Sequence, residues 1–337
     1  MKAIVYQGPR QLSMEEHEVP QAGPGEAIVK VEAVGICGSE LEGYLGHSSV
    51  RVPPLVMGHE CCGTIVDACG ADGAAAANWS AGDKVVVNPL INCGSCDRCL
   101  AGKTHLCRHR VLIGIHRPGA FAEYVKVPLQ SLLVVPKTLD SSLASLAEPL
   151  AVCIHALKLG LRPFGELLIF GAGAIGLLTL QAARNMGAQR ILVVDRQEAR
   201  LGHAAALGAD TATPEQLEAK LSELAPGGID TIIDCVGVTA TRQQALQWIS
   251  PGGIIVLVGL GHDESPLQLN RLIRQEVALF GSYSYTREDF TQAVRLLTGG
   301  KISMDRWTGT CRLTEAPDAF HVLAEGSSPF SKIILHP

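Results

Sequence analysis

From residue 166 to about 260 the chain alternates short, nearly continuous apolar runs with stretches of helical spacing, and no other feature restricts its fold so strongly. "ELLIFGAG", "RILVVD", "GIDTIIDCVG" and "IIVLVGLG" predict strands; "AIGLLTLQAARNMGA", "RQEARLGHAAALGA" and "TRQQALQWISPGG" predict the helices between them. Strands that are apolar on both faces and separated by helices belong to a parallel, doubly wound α/β sheet. Within it, "GAGAIG" (Gly171 to Gly176) follows a strand and opens a helix, and Asp195 ends the next strand. That context turns a weak hexapeptide into a dinucleotide-binding fingerprint. Gly171 permits the tight turn, Gly173 lets backbone N–H groups approach a pyrophosphate at the helix N-terminus, and Gly176 lets helix and sheet pack closely. Asp195 would accept hydrogen bonds from ribose hydroxyls and repel a 2′-phosphate, which favours NAD over NADP. Arg196, directly after it, weakens that preference.

Before residue 148 the texture differs. Segments such as "EAIVKVEAVGI" and "DKVVVNPL", separated by Gly/Pro turns, predict an irregular β barrel, and "ADGAAAANWSAGD" reads as an exposed connecting loop. "AEPLAVCIHALKLGLRP" predicts a helix ended by Gly160 and Pro163, and the chain closes on the strand-like "SKIILHP". At 337 residues two domains are expected. The texture places them at 1–147 with 285–337, discontinuous and β-rich, and at 148–284, nucleotide-binding and inserted into the first.

A net charge of −5 without runs of like charge gives no footprint for nucleic acid or an anionic membrane. "MKAIVYQGPR" lacks a signal-peptide layout and the apolar run around "IIVLVGL" is too short to span a bilayer, so a cytoplasmic setting is expected. Eleven cysteines in such a chain are expected to be thiols, and clustered thiols to be metal ligands. Cys93, Cys96, Cys99 and Cys107 follow C-x2-C-x2-C-x7-C, a spacing whose four thiolates fill a tetrahedral Zn²⁺ shell and leave no position for substrate. An iron–sulfur cluster and a disulfide pair are the competing readings. Cys61, Cys62, Cys69, Cys153, Cys235 and Cys311 are expected to be inert core residues. A quieter group comprises Cys37 in "GICGSE", His59 and Glu60 in "GHE", and Glu148 in "AEPLA". Read singly, these residues fit a buried thiol, a cap and surface carboxylates as well as metal ligands.

Taken together, "GICGSE", "GHE", "GDKV", "CGSCDRCLAGKTHLC", "GAFAEYV", "EPLAV", "GAGAIG" and "EAPDAF" resemble the zinc-dependent medium-chain dehydrogenases of the alcohol, polyol and threonine dehydrogenase group, over essentially the whole chain. The resemblance implies a GroES-like catalytic domain made from both chain ends plus a Rossmann domain. It implies two zinc ions per chain, a structural one on the four clustered cysteines and a catalytic one on Cys37, His59 and Glu60. Glu148 would lie at or beside the catalytic ion, exchanging with Glu60 or assisting proton transfer. The implied reaction is NAD-dependent oxidation of a secondary alcohol by hydride transfer from a zinc-bound alkoxide to the nicotinamide.

The family's relay hydroxyl maps onto Ser39. Where the family usually has Asp this chain has Glu40, and where many members have His it has Glu42, so Glu42, the nearby His47 or water would carry the proton onward. The cofactor pattern maps onto Ala174 and Ile175 within the fingerprint, Asp195, Arg196 and Arg200 toward the adenosine, Val258, Gly259 and Leu260 after the later strand, and Ser284 with Tyr285. The expected substrate is a small-molecule alcohol: a polyol, a sugar derivative or a hydroxy amino acid. A sugar phosphate is an alternative, because Arg51, His116 and Arg117 lie in the recognition segments. A zinc-independent reductase of quinones or alkenes is the alternative within the same fold, and a non-catalytic binding protein the alternative outside it. No nucleic-acid or membrane partner is expected; a homodimer or homotetramer is.

Overall fold

The computed structural model describes residues 1–70 and 79–337. The loop expected at 71–83 falls, over 71–78, outside the described residues. The chain divides into two compact units, Met1–Glu148 with Phe290–Pro337, and Pro149–Asp289.

The first unit is built on a seven-stranded sheet. Its order runs Leu132–Val134, Lys84–Val87, Glu60–Cys69, Glu26–Gly35, Lys332–His336 and Thr308–Arg312, with Tyr124–Pro128 also paired to Glu26–Gly35. Glu26–Gly35 is rich in valine and alanine and buried along most of its length, as suits a strand with neighbours on every side. It pairs antiparallel with Glu60–Cys69, Tyr124–Pro128 and Lys332–His336, so the last strand of the chain is held beside the third. The apolar faces meet in a core that includes Val29, Val34, Ile65, Val85, Phe121, Phe320 and Leu335, where Phe121 and Phe320 pack edge to face at 5.7 Å. One short helix, Gly38–Tyr44, leaves the end of the central strand, with Cys37 as its cap.

The second unit holds a six-stranded parallel sheet. In spatial order its strands are Asp210–Ala212, Arg190–Val194, Glu166–Phe170, Ile229–Asp234, Ile249–Leu257 and Ala278–Gly281. The chain order reverses between Glu166–Phe170 and Ile229–Asp234, which opens a crevice at the carboxyl ends of those strands. Leu168, Phe170, Leu192, Val194, Ile232 and Ile255 form the core on one face.

Two elements of this sheet, Asp210–Ala212 and Ala278–Gly281, and the helix Leu217–Leu224, carry no strong periodic signal. Both strands sit at sheet edges, where little side-chain burial is required. The strand expected from Ile254 begins at Ile249 instead. "SPGG" is absorbed by a register shift opposite Ile229 and Thr231, with Gly252 at φ +72°. Among the six cysteines expected in the core, Cys61, Cys62 and Cys153 are buried, but Cys69, Cys235 and Cys311 are partly exposed, Cys69 because it ends its strand at the sheet margin. No described helix is long and apolar enough to cross a membrane.

Candidate metal centres and dinucleotide crevice

Three side chains distant in sequence converge at one end of the central strand pair. Cys37 caps the helix Gly38–Tyr44, and His59 and Glu60 stand at the start of the strand Glu60–Cys69. The register pairs Gly35 with Glu60, so the strand pairing itself brings the cysteine loop beside the His-Glu pair. Their donor atoms all lie within 4.8 Å of one another, close enough for a single ion to be held by a thiolate, an imidazole and a carboxylate. Glu148 is buried in the first turn of the helix Ala147–Gly160 and is not part of that donor cluster.

Glu40, which the sequence gave no role, supports this cluster. It is fully buried and accepts the backbone N–H of Cys37 at 2.9 Å, the N–H of Gly58 at 2.8 Å and Nδ1 of His59 at 2.8 Å. An ionised carboxylate only accepts, so Nδ1 must carry its proton and Nε2 is left free to bind a cation. Burial opposes the Glu40 charge, yet His59 and Arg51 outweigh it and hold the carboxyl below its ordinary range. Burial likewise disfavours the His59 cation, but Glu40, followed by Cys37, raises it well above the ordinary imidazole value. A cation bound at Nε2 would take the place of the second proton that this shift lets the ring hold.

The cluster also contains a lysine. Lys332, 3% exposed, forms an ion pair with Glu60 Oε2, and the Glu60 charge, followed by Cys37, keeps it protonated against the effect of burial. Two carboxylates, Glu40 and Glu60, are therefore offset by two buried cations, Arg51 and Lys332. Lys332 could not be found from local sequence, because its partner lies in a different strand at the other end of the chain.

Ser39 Oγ lies 3.2 Å from Cys37 Sγ and so faces the same cluster. Glu42 and His47 are exposed and bond to each other at 2.9 Å; neither reaches Ser39. The onward proton path expected through either is thus not connected in this structure, because the side chains point into solvent on the outer side of the short helix.

The four clustered cysteines form a separate centre. Sulfur–sulfur distances are 3.5 Å for Cys93–Cys107, 3.6 Å for Cys96–Cys99, and 3.9 Å for both Cys93–Cys99 and Cys96–Cys107. A tetrahedron with bonds of about 2.3 Å to zinc has edges of about 3.8 Å, which these match, whereas a disulfide needs about 2.05 Å. Backbone N–H groups of Ser95 and Cys96 lower the Cys93 thiol to about 6. Desolvation and the neighbouring sulfurs push Cys99 up to about 12. Four thiols so close cannot all ionise without a cation among them.

In the second unit, Gly171 takes φ +97° at the end of Glu166–Phe170, and a Cβ on Gly176 would overlap the Gly171 carbonyl. A Cβ on Gly173 would meet nothing within 4 Å, so the cradle in front of the helix Ala174–Asn185 is open, as a pyrophosphate needs. Asp195 is anchored by the N–H of Ala172 at 2.8 Å and of Gln197 at 2.9 Å, which leaves lone pairs on both oxygens for ribose hydroxyls. Arg196 is exposed and Arg200 half-buried at the same end of the sheet; Ile175 is half-buried behind the turn. Val258, Gly259 and Leu260 follow Ile249–Leu257, and Leu260 is 84% exposed. Ser284 adopts φ +57°, while Tyr285 is fully buried, which removes its ring from contact with a cofactor in this conformation.

Comparison with known proteins agrees with this geometry. Residues 23–137 match the family model for the alcohol dehydrogenase GroES-like domain, and residues 174–299 match that for zinc-binding dehydrogenases. The chain is 33% identical over 310 residues to L-galactonate-5-dehydrogenase of Escherichia coli K12, covering 90% of this chain and 89% of that one. Among solved structures, a zinc-binding dehydrogenase of Sinorhizobium meliloti 1021 bound to NADP superimposes with a TM-score of 0.90 at 32% identity, over 100% of this chain and 99% of the other. An alcohol dehydrogenase of Escherichia coli CFT073 complexed with NADH gives 0.92 at 28% identity, with the same coverages.

Proposed function

Because the chain belongs to the zinc-dependent medium-chain alcohol dehydrogenase family, we propose that it oxidises a secondary alcohol to the ketone with NAD as hydride acceptor. The observation that carries this reading is the convergence of Cys37, His59 and Glu60 in a cluster separate from the closed four-cysteine centre. A reductase of quinones or alkenes would need no such donor set. Cys37, His59 and Glu60 would hold the working ion, and Cys93, Cys96, Cys99 and Cys107 a structural one. Zinc bound at the first centre would supply Lewis acidity toward the alcohol oxygen, and a bound dinucleotide would supply the hydride acceptor.

The remaining work falls to the chain. Glu40 fixes the His59 tautomer, Lys332 balances Glu60, and Ser39 places a hydroxyl where the alcohol proton must leave. Glu148, outside the donor cluster, is assigned a supporting place beside it. Asp195 selects NAD by engaging the ribose, with Arg196 and Arg200 at the adenosine end and Val258 to Leu260 and Ser284 along the crevice. Residues 1–147 with 285–337 would form the catalytic domain and 148–284 the cofactor domain.

The substrate class is a polyol, a sugar derivative or a hydroxy amino acid. Sequence likeness to an enzyme named for a sugar acid supports the middle of that range. An open sheet edge at Ala278–Gly281, with Leu279 and Phe280 exposed, supports a homo-oligomer, dimer or tetramer. Eleven cysteines with no disulfide among them support a reducing, cytoplasmic setting. The test is a screen of polyols, sugar acids, sugar phosphates, amino alcohols and 2,3-diols for NADH production by the zinc-loaded protein. NADH formation with at least one class supports the reading; failure with all of them, together with NAD(P)H consumption on quinones or alkenes, would overturn it.

A further inference from the structure

Against the helix Gly38–Tyr44 lies a guanidinium that the function above does not use. Arg51 is 6% exposed; its Nη2 donates to Ser39 Oγ at 2.9 Å, and its Nε is buried without a hydrogen-bond partner among the described residues. Gly43 makes room for it, since a Cβ there would approach Arg51 Cδ to 2.5 Å. That helical turn is held in turn by Tyr6, whose hydroxyl donates to the Gly43 carbonyl at 2.8 Å. A buried guanidinium is costly unless it is balanced, and Glu40 supplies the balancing charge. Packing, glycine and counter-charge together mark Arg51 as a placed residue.

Its effect follows from hydroxyl chemistry. Ser39 has one O–H proton and two lone pairs. Arg51 fills one lone pair and repels the proton, so the O–H points away from the guanidinium, toward Cys37 Sγ at 3.2 Å, and the other lone pair is left for an incoming donor. A guanidinium does not give up its proton in a protein, so Arg51 cannot itself be a relay member. We propose that Arg51 is a positioning residue that sets the direction of the Ser39 hydroxyl, and through it the rate of proton removal from the substrate alcohol. This rests on the reading that Ser39 receives that proton. In the balanced step the alcohol O–H proton passes to Ser39 Oγ while the Ser39 proton, held toward Cys37 Sγ in this structure, breaks that hydrogen bond and leaves to water; the C–H leaves as hydride to NAD, giving ketone, NADH and one released proton.

The experiment compares Ser39→Ala, Arg51→Gln, Arg51→Lys, Gly43→Ala and the Ser39→Ala/Arg51→Gln double variant of the zinc-loaded enzyme, measuring kcat, KM for alcohol and NAD, and zinc content. Arg51→Gln is expected to lower kcat about tenfold or more, with zinc content and KM for NAD unchanged. Arg51→Lys should restore part of the rate, and Gly43→Ala, which displaces the guanidinium without removing it, should reproduce part of the loss. The double variant should be no more than about twofold slower than Ser39→Ala alone. If Arg51→Gln slowed the Ser39→Ala background as much as the parent, or left the parent's kcat unchanged, the proposal would be overturned. If Ser39→Ala itself left kcat intact, the reading of Ser39 would fail, and the proposal with it, by a distinguishable result.

Discussion

Glu40 and His59 are joined by a 2.8 Å hydrogen bond inside a pocket that excludes water from both, the carboxylate 0% and the imidazole 6% exposed. The bond fixes which ring nitrogen can face a metal. Glu40→Gln replaces one acceptor oxygen with an N–H₂ group, which must then oppose the N–H of Cys37, or those of Gly58 and His59. Loss of such a supporting partner typically weakens a metal site about 10–100-fold. Competition with a chelator should show one of the two zinc ions leaving that much more readily, with the other unchanged.

Cys99→Ser acts on the other centre. It removes one corner of the four-sulfur shell and leaves Cys37, His59 and Glu60 untouched. Zinc content should fall by about one ion per chain, and the melting temperature should drop before substrate affinity does. An unchanged melting temperature with undiminished zinc would contradict a structural role.

Asp195→Ala tests the coenzyme assignment. The carboxylate is held by backbone N–H groups of Ala172 and Gln197, so the substitution removes the ribose acceptor and the repulsion toward a 2′-phosphate together. The ratio of kcat/KM for NAD over NADP should fall by about tenfold or more, a change of about 1.4 kcal/mol. Arg196, exposed beside it, would aid NADP once the carboxylate is gone.

Asp289 provides a pH-dependent contribution to stability. It is 1% exposed and accepts Nδ1 of His155 at 2.8 Å, Nζ of Lys158 at 2.6 Å, and the Thr286 N–H and hydroxyl at 2.9 and 2.7 Å. Burial would raise its carboxyl, but these donors together hold it far below the ordinary value. A depressed carboxyl contributes its full stability above the unfolded value, about pH 4, and loses it as the pH falls toward the folded one. Asp289→Asn should therefore cost about 1.5–3 kcal/mol in urea denaturation at pH 7. The gap between parent and variant should narrow steadily below pH 4.

How much of this was legible in sequence depends on how far apart the cooperating residues lie. The parallel sheet could be read because each of its central strands carries its own apolar run, and the four-cysteine centre because all its ligands fall within one loop. Cys37, His59 and Glu60 were individually ambiguous and needed the family resemblance, since only strand pairing brings Gly35 opposite Glu60. Glu40 read as a departure from the family pattern, yet its longer side chain bonds Cys37, Gly58 and His59 at once. Lys332 and Arg51 gave no signal for their roles because a buried charge is recognised by its partner, and Glu60 and Ser39 are met only after folding. Glu42 and His47 were overread for the converse reason: nearness in sequence to Ser39 did not bring contact.

The central claim, that one zinc works and the other only holds structure, is tested most directly by metal analysis coupled to brief chelation. The purified protein should carry about two zinc per chain, one for each donor cluster. Brief chelation should remove one ion and abolish NAD reduction, with circular dichroism and melting temperature close to those of the parent, and added zinc should restore the rate. Full activity after loss of an ion from the Cys37, His59 and Glu60 cluster, with the four-cysteine centre still loaded, would contradict the account.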